Sequence, residues 1–288
     1  MTTATEAIAV RRRGPGALAR ALGFVRHHLL TIYAALALGY LFLPIAIVIA
    51  FSFNNPAGRF NYTWEGFTFK NWTDPFGYPG VKDAVKVSVE IAALSSVVAT
   101  VLGTLIALAL IRYRFVGRGV INLLIFMPLT TPEIVMGSSL LTLFLNRGID
   151  TGFETILIAH ITFNISYVVV TVKARLVGFD RHLEEAAMDL FANEWTTFRK
   201  VTLPIIMPGI LAAALLAFAL SIDDFVITYF NAGATITFPL FVWGAARVAV
   251  PPQINVIGSA IFVIAVSLML MNILVQRRRA RTLKGVTA

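Results

Sequence analysis

The 288-residue sequence has no cysteine and little charge, with only 14% of its residues Asp, Glu, Lys or Arg. Without cysteine there is no disulfide framework and no thiolate metal site, and thiol usage says nothing about redox compartment. The four histidines, His27, His28, His160 and His182, never fall at His-x-x-x-His spacing, which argues against a zinc hydrolase. The dipeptide Gly-Lys is missing too, so the chain has no Walker-type nucleotide cradle. What is abundant is apolar: 58% of the residues, far from the balance of a soluble domain. This is the composition of a membrane protein, and in lipid the backbone satisfies itself as helices.

A bilayer core about 30 Å thick needs roughly 20 helical residues to cross it. Six runs qualify: Leu29 to Phe53, Ile91 to Ile111, Val120 to Leu145 (interrupted by Pro128, Pro132 and Glu133), Thr155 to Val172, Pro208 to Tyr229, and Ile254 to Val275. Of the 24 lysines and arginines, eighteen fall on one side of these spans. They are Arg11, Arg12, Arg13, Arg20 and Arg26, then Arg112, Arg114 and Arg118, then Lys173, Arg175, Arg181, Arg199 and Lys200, and finally Arg277, Arg278, Arg279, Arg281 and Lys284. The other side has Arg59, Lys70, Lys82, Lys86, Arg147 and Arg247. The positive-inside rule therefore puts both termini in the cytoplasm. It also accounts for the net charge of +9 as topology, with no nucleic acid involved. The expected organisation is a cytoplasmic tail over residues 1–28, a permease domain over 29–275 with a cytoplasmic loop at 173–207, and a basic tail over 276–288. The first run is too long for the core of a cleaved signal peptide. No internal repeat is visible, which argues against a secondary transporter of inverted repeats. Ser95, Ala99, Gly103 and Ala107 form a small-residue stripe suited to close helix packing.

The most polar stretch between two apolar runs is "EEAAMDLFANEWTTFRKVTLP", residues 184–204. Asp180 is placed to cap a helix whose first turn carries Glu184 and Glu185. Leu183, Ala186, Ala187, Leu190 and Phe191 share one face of it. A second short helix is expected from Asn193, presenting Trp195 and Phe198, before Leu203-Pro204 redirects the chain into the fifth span. Such a hairpin, apolar along one stripe and acidic at its flanks, suits a groove on a protein partner better than anionic lipid.

Glu185-Ala186-Ala187, Val201 and Leu203-Pro204 resemble the Glu-Ala-Ala loop of ABC importer permeases. The stretches "SIDDFVITYFNAG", "TFPLFVWGAARVAVPPQIN" and "MPLTTPEIVMGSSLL" are similar to its spermidine/putrescine subfamily, and the likeness spans residues 30 to 275. The resemblance implies an all-α type I importer permease fold in a bacterial cytoplasmic membrane. It also implies a second permease subunit, two ATPase subunits that bind ATP and Mg, and an external binding protein. Glu184, Glu185, Ala186, Ala187, Asp189, Phe191, Leu203 and Pro204 would then form the coupling element, and the chain itself would hold no cofactor. Phe191 stands where the family usually has glycine, so a turn shifted onto Asn193 or a changed inter-helix angle is expected.

Charge inside a membrane costs about 2.5–3.5 kcal/mol and so marks cavities or partners. Asp223 and Asp224 follow an apolar run, and a helix turns one of them toward the pathway and the other away; capping, or pairing with Arg247, is the structural alternative. Glu133 in the interrupted third span, Ser221 beside the aspartates, and Trp72 with a ring face for ammonium groups complete the expected path. The cargo expected is a polyamine. The alternatives are another amine, an amino-acid derivative or ferric iron, and less readily an ion-driven transporter; no catalytic set for a membrane enzyme is visible.

Overall fold

A computed structural model describes the backbone of residues 17–286 and the side chains of residues 28–267, 270 and 271. In chain order its helices are α1 (Ala17–Ser52), α2 (Lys70–Thr73), α3 (Val81–Arg112), α4 (Arg118–Thr130), α5 (Glu133–Asn146), α6 (Phe153–Val177), α7 (His182–Asp189), α8 (Glu194–Thr197), α9 (Leu203–Ile222), α10 (Val226–Asn231), α11 (Phe238–Val248) and α12 (Pro252–Val286). Among the described residues there is no strand beyond two isolated bridges, Asn54 to Phe67 and Phe60 to Val250.

Four helical stretches are long and apolar enough to cross a bilayer: His28–Ser52, Val81–Arg112, Phe153–Val177 and Glu194–Ile222. The expected third span is not one helix. It is the pair α4 and α5, bent by 112°. Thr131 turns extended before Pro132, whose ring disfavours helical backbone in the residue ahead of it, so the helix stops and restarts at Glu133. The expected sixth span lies within α12. The helices also run past the expected tails: α1 begins at Ala17, within the segment read as a tail, and α12 continues to Val286. Arg11, Arg12 and Arg13 lie outside the described residues, as do the side chains of Arg20, Arg26 and the arginines of 277–281.

In lipid there is no hydrophobic drive to push helices together, so small side chains and dispersion hold them. The stripe Ser95, Ala99, Gly103 and Ala107 is buried, and it lets α3 press against α6. A Cβ on Gly103 would stand 2.6 Å from Val168 Cγ1, closer than any real contact. The core is the three-way junction of α3, α6 and α9, filled by Leu108, Val168, Val169, Val172, Ile206 and Ala213. By contrast the apolar window of α1 is not buried at all. Its Leu30, Leu36 and Tyr40 point outward, as a surface facing lipid or another helix must.

The two ends of the bundle differ. Arg112, Arg175 and the α7–α8 hairpin share one end, where Arg112 reaches Glu184 and Arg175 donates to Ile205 O. The opposite end holds the 54–72 loop, α11 and the 231–235 turn; there Asn61 N donates to Val250 O, just past α11, at 3.1 Å, and Phe238 N at the start of α11 donates to Ser88 Oγ of α3 at 2.8 Å.

Candidate functional site

The expected fifth span, Pro208 to Tyr229, is broken. It ends at Ile222, and α10 starts afresh at Val226. The break is made by Asp224, whose Oδ2 accepts from Thr228 N at 2.8 Å and Thr228 Oγ1 at 2.9 Å, with Ile227 N at 3.4 Å from Oδ1. An aspartate that gathers the first free N–H groups of a helix starts one there. His160 of α6 stands behind it, with Nε2 3.3 Å from Asp224 Oδ2 and 2.9 Å from Thr228 Oγ1. The other ring nitrogen, Nδ1, meets Ser221 Oγ at 2.6 Å, and Ser221 meets Ser95 of α3 at 3.0 Å. Ser95, His160, Ser221 and Thr228 are all buried, and the Asp224 side chain is only 6% exposed.

Asp223 faces the other way. It is exposed and lines a cavity of about 410 Å³ with Phe225, Phe238, Val242 and Trp243. Phe225 packs on Trp243 with ring centroids 5.3 Å apart, and the Arg247 guanidinium lies 4.8 Å from the Trp243 ring centroid. No ion pair joins either aspartate to Arg247 among the described residues. The cavity is therefore chiefly apolar, walled by aromatic and aliphatic side chains, with Asp223 its one carboxylate and one face of Trp243 already covered by Arg247. That is a fit for an ammonium group on a methylene chain.

The remaining path candidates lie elsewhere. Glu133 is exposed in the first turn of α5. Ser221 is committed to His160 and Ser95. Trp72 is a strut of the 54–72 loop: its Nε1 donates to Ser52 Oγ at 3.0 Å and its ring stacks on Phe53 at 5.4 Å. The sequence reading missed His160, which it weighed only as a metal ligand. A histidine inside the apolar run Thr155 to Val172 was itself the signal, since ionisable groups at that depth have partners.

Asn193 caps α8 as expected, its Oδ1 accepting from Thr196 N at 2.8 Å; Asp180 sits one residue ahead of the cap position of α7, which is Arg181, and its Oδ1 accepts from His182 N at 3.0 Å. Phe191 does not behave as expected. The turn stays on it, at φ 62°, with Phe191 N bonded to Met188 O and Ala192 N to Ala187 O, the paired bonds of a glycine-type helix end. Its ring is 99% exposed. Leu203-Pro204 does not redirect the chain either. A π-helical stretch, Phe198–Thr202, carries α8 straight into α9. Leu203 N reaches back to Phe198 O, and the wider register relieves the clash of the Pro204 ring with the preceding turn. Glu185, Ala186, Asp189, Phe191 and Pro204 are exposed, while Glu184, Ala187 and Leu203 are half-buried. His182 Nδ1 lies 2.9 Å from Glu185 Oε2. That bond, then the charges of Asp180 and Glu185, raise the imidazole pKa above its ordinary 6.5.

These features define a class, the polytopic all-helical membrane permease with a helical hairpin at one end and a broken-helix cavity toward the other. Comparison with known proteins makes it particular. Residues 99–281 match the family described as "Binding-protein-dependent transport system inner membrane component", and the chain belongs to that family. It is 39% identical over 243 residues to the spermidine/putrescine transport system permease protein PotC of Escherichia coli K12, covering 84% of this chain and 91% of that one. It is 38% identical over 236 residues to the putrescine transport system permease protein PotI of the same strain, covering 78% and 83%. A solved bacterial ABC transporter involved in importing the acidic polysaccharide alginate superposes with a TM-score of 0.64 at 15% identity, over 90% of this chain and 99% of that one. At that identity the likeness shows the fold, an ABC importer permease. The chain is a multi-pass inner-membrane transport subunit and not an enzyme.

Proposed function

We propose that this subunit forms half of the pore of an ATP-driven importer whose cargo is a polyamine of the spermidine/putrescine class. The observation that carries the cargo is the placement of Asp223: a single exposed carboxylate in a cavity otherwise walled by Phe225, Trp243 and aliphatic side chains. A polyamine would use both features, the carboxylate for one of its ammonium groups and the apolar wall for a methylene run. The names of the relatives PotC and PotI support the same reading.

The importer would pair this chain with a second, PotB-like permease. Two PotA-like ATPases would bind ATP and Mg, and a PotD-like external protein would deliver cargo. With the α4–α5 pair and α12 counted as spans the chain would cross six times, and the excess of Lys and Arg in the sequence near the hairpin end supports a cytoplasmic placement of that end and of both termini. The exposed Leu190, Phe191 and Trp195 of the hairpin, with Glu185 beside them, form the surface for the ATPase. Closure of the ATPases moves the hairpin, and the helix bundle rocks between outward and inward openings.

Uptake into vesicles holding the reconstituted importer tests this. Spermidine and putrescine should compete for uptake, amino-acid derivatives and ferric iron should not, and Asp223→Asn should weaken the competition. Indifference to polyamines would remove the cargo, and uptake with a catalytically dead ATPase would remove the importer class.

A further inference from the structure

Glu184 and Glu185 are neighbours in sequence and opposites in setting. Glu185 is exposed and meets His182. The Glu184 side chain is only 14% exposed, and its Oε1 accepts from the Arg112 guanidinium, in the last turn of α3, and from the hydroxyl of Thr202, fully buried in the π-helical stretch ahead of α9. Arg112 also donates to Thr202 Oγ1 at 3.3 Å, so three side chains from three elements close a triangle.

A second arginine ties the same end of the bundle. Arg175, in the last turn of α6, donates through Nε and Nη2 to Ile205 O at 3.3 and 3.2 Å. Gly209 lets it lie flat, since a Cβ there would stand 2.8 Å from Arg175 Cβ. At the other end Ser95, His160 and Ser221 join the same three helices. Helices α3, α6 and α9 are thus fastened to one another at both ends, and the hairpin is fastened to that block through the Glu184 carboxylate.

We infer that Glu184 and Arg112 form the latch through which the hairpin moves the three-helix block. They are positioning residues that pass a displacement of α7 to α3 and α9, separate from the exposed face that meets the ATPase. The inference rests on the ATPase coupling proposed above. A charge-assisted pair suits the task, because it is short and directional and the partial burial of both partners shields it from water. Thr202, with no exposure, keeps the carboxylate aimed at the root of α9.

The test uses the whole importer in vesicles, with bound ATPase, ATP hydrolysis and uptake measured separately. The variants are Arg112→Glu, Glu184→Arg, the double exchange, and Glu184→Gln as the gentler change. Each single reversal should lower uptake per ATP by about ten-fold with the ATPase still bound, and the double exchange should recover most of it. Full coupling in the single variants overturns the latch. So does loss of the ATPase from Glu184→Gln, which would make Glu184 a docking residue, and so does a double exchange no better than its parents. Should the reversals fail to assemble, Glu184→Gln decides: lowered coupling with ATPase bound supports the latch and unchanged coupling overturns it. A wild-type importer that binds no ATPase overturns the coupling reading beneath, a result distinct from any of these.

Discussion

His160 Nε2 lies 3.3 Å from Asp224 Oδ2, across the gap between the middle helix of the core and the start of α10. One imidazole also holds Ser221 and Thr228, so the helix break that presents Asp223 to the cavity is shaped from inside the bundle. Removing the ring in His160→Ala leaves the buried Asp224, Ser221 and Thr228 side chains without their ring partner, a change worth about 1–3 kcal/mol. The permease should lose thermal stability in detergent, and an unchanged melting temperature would show that the contact carries no weight.

The adjacent aspartates should fail in different ways. Asp224→Asn weakens the cap of α10 and should lower stability by about 1 kcal/mol, read as earlier unfolding. Asp223→Asn disturbs only the contact of that side chain with its own backbone and should leave stability nearly alone while raising the cargo concentration needed for half-maximal uptake. Equal effects on stability would contradict the opposed placement of the two side chains.

Phe191 holds a left-handed backbone at φ 62°, which costs a side-chain-bearing residue roughly 1–2 kcal/mol. Glycine would relieve this, less the roughly 0.5–1 kcal/mol of freedom it adds to the unfolded chain. Hydrogen exchange over residues 182–202 should therefore slow slightly in Phe191→Gly, while ATPase binding weakens as the exposed ring is lost. Faster exchange would mean that the ring holds the turn.

The imidazole of His182 should titrate above 6.5, because its contact with Glu185 favours the protonated ring. A raised value means that the contact stabilises the folded hairpin fully below pH 6.5 and that this support fades as pH climbs through the raised value. Ring proton shifts of His182 followed against pH would show it, and Glu185→Gln should bring the midpoint down. A midpoint at or below 6.5 in the parent protein would refute the contact.

Local signals in the sequence located much of this. The cap at Asn193 and the small-residue stripe of α3 each depend on residues a few positions apart, and each is where its pattern says. The break after Ile222 depends on more. Asp224 starts α10 through local bonds to Ile227 and Thr228, but that it and not Asp223 turns inward depends on the meeting with His160, 64 residues earlier in the chain. The π-helical register ahead of Pro204 was hidden for a related reason: a proline after a polar stretch reads as a corner, yet one widened turn absorbs it. Glu184 and Glu185 were indistinguishable as letters, since what separates them is Arg112, brought in by the end of another helix.

The elbow between α4 and α5 has a consequence for the life of the subunit in the cell. Two arms of about 20 Å each, bent away from a straight line by 112°, leave a wedge that straight acyl tails cannot line. If the second permease proposed above closes that wedge, a copy inserted without it would carry the wedge open in the bilayer.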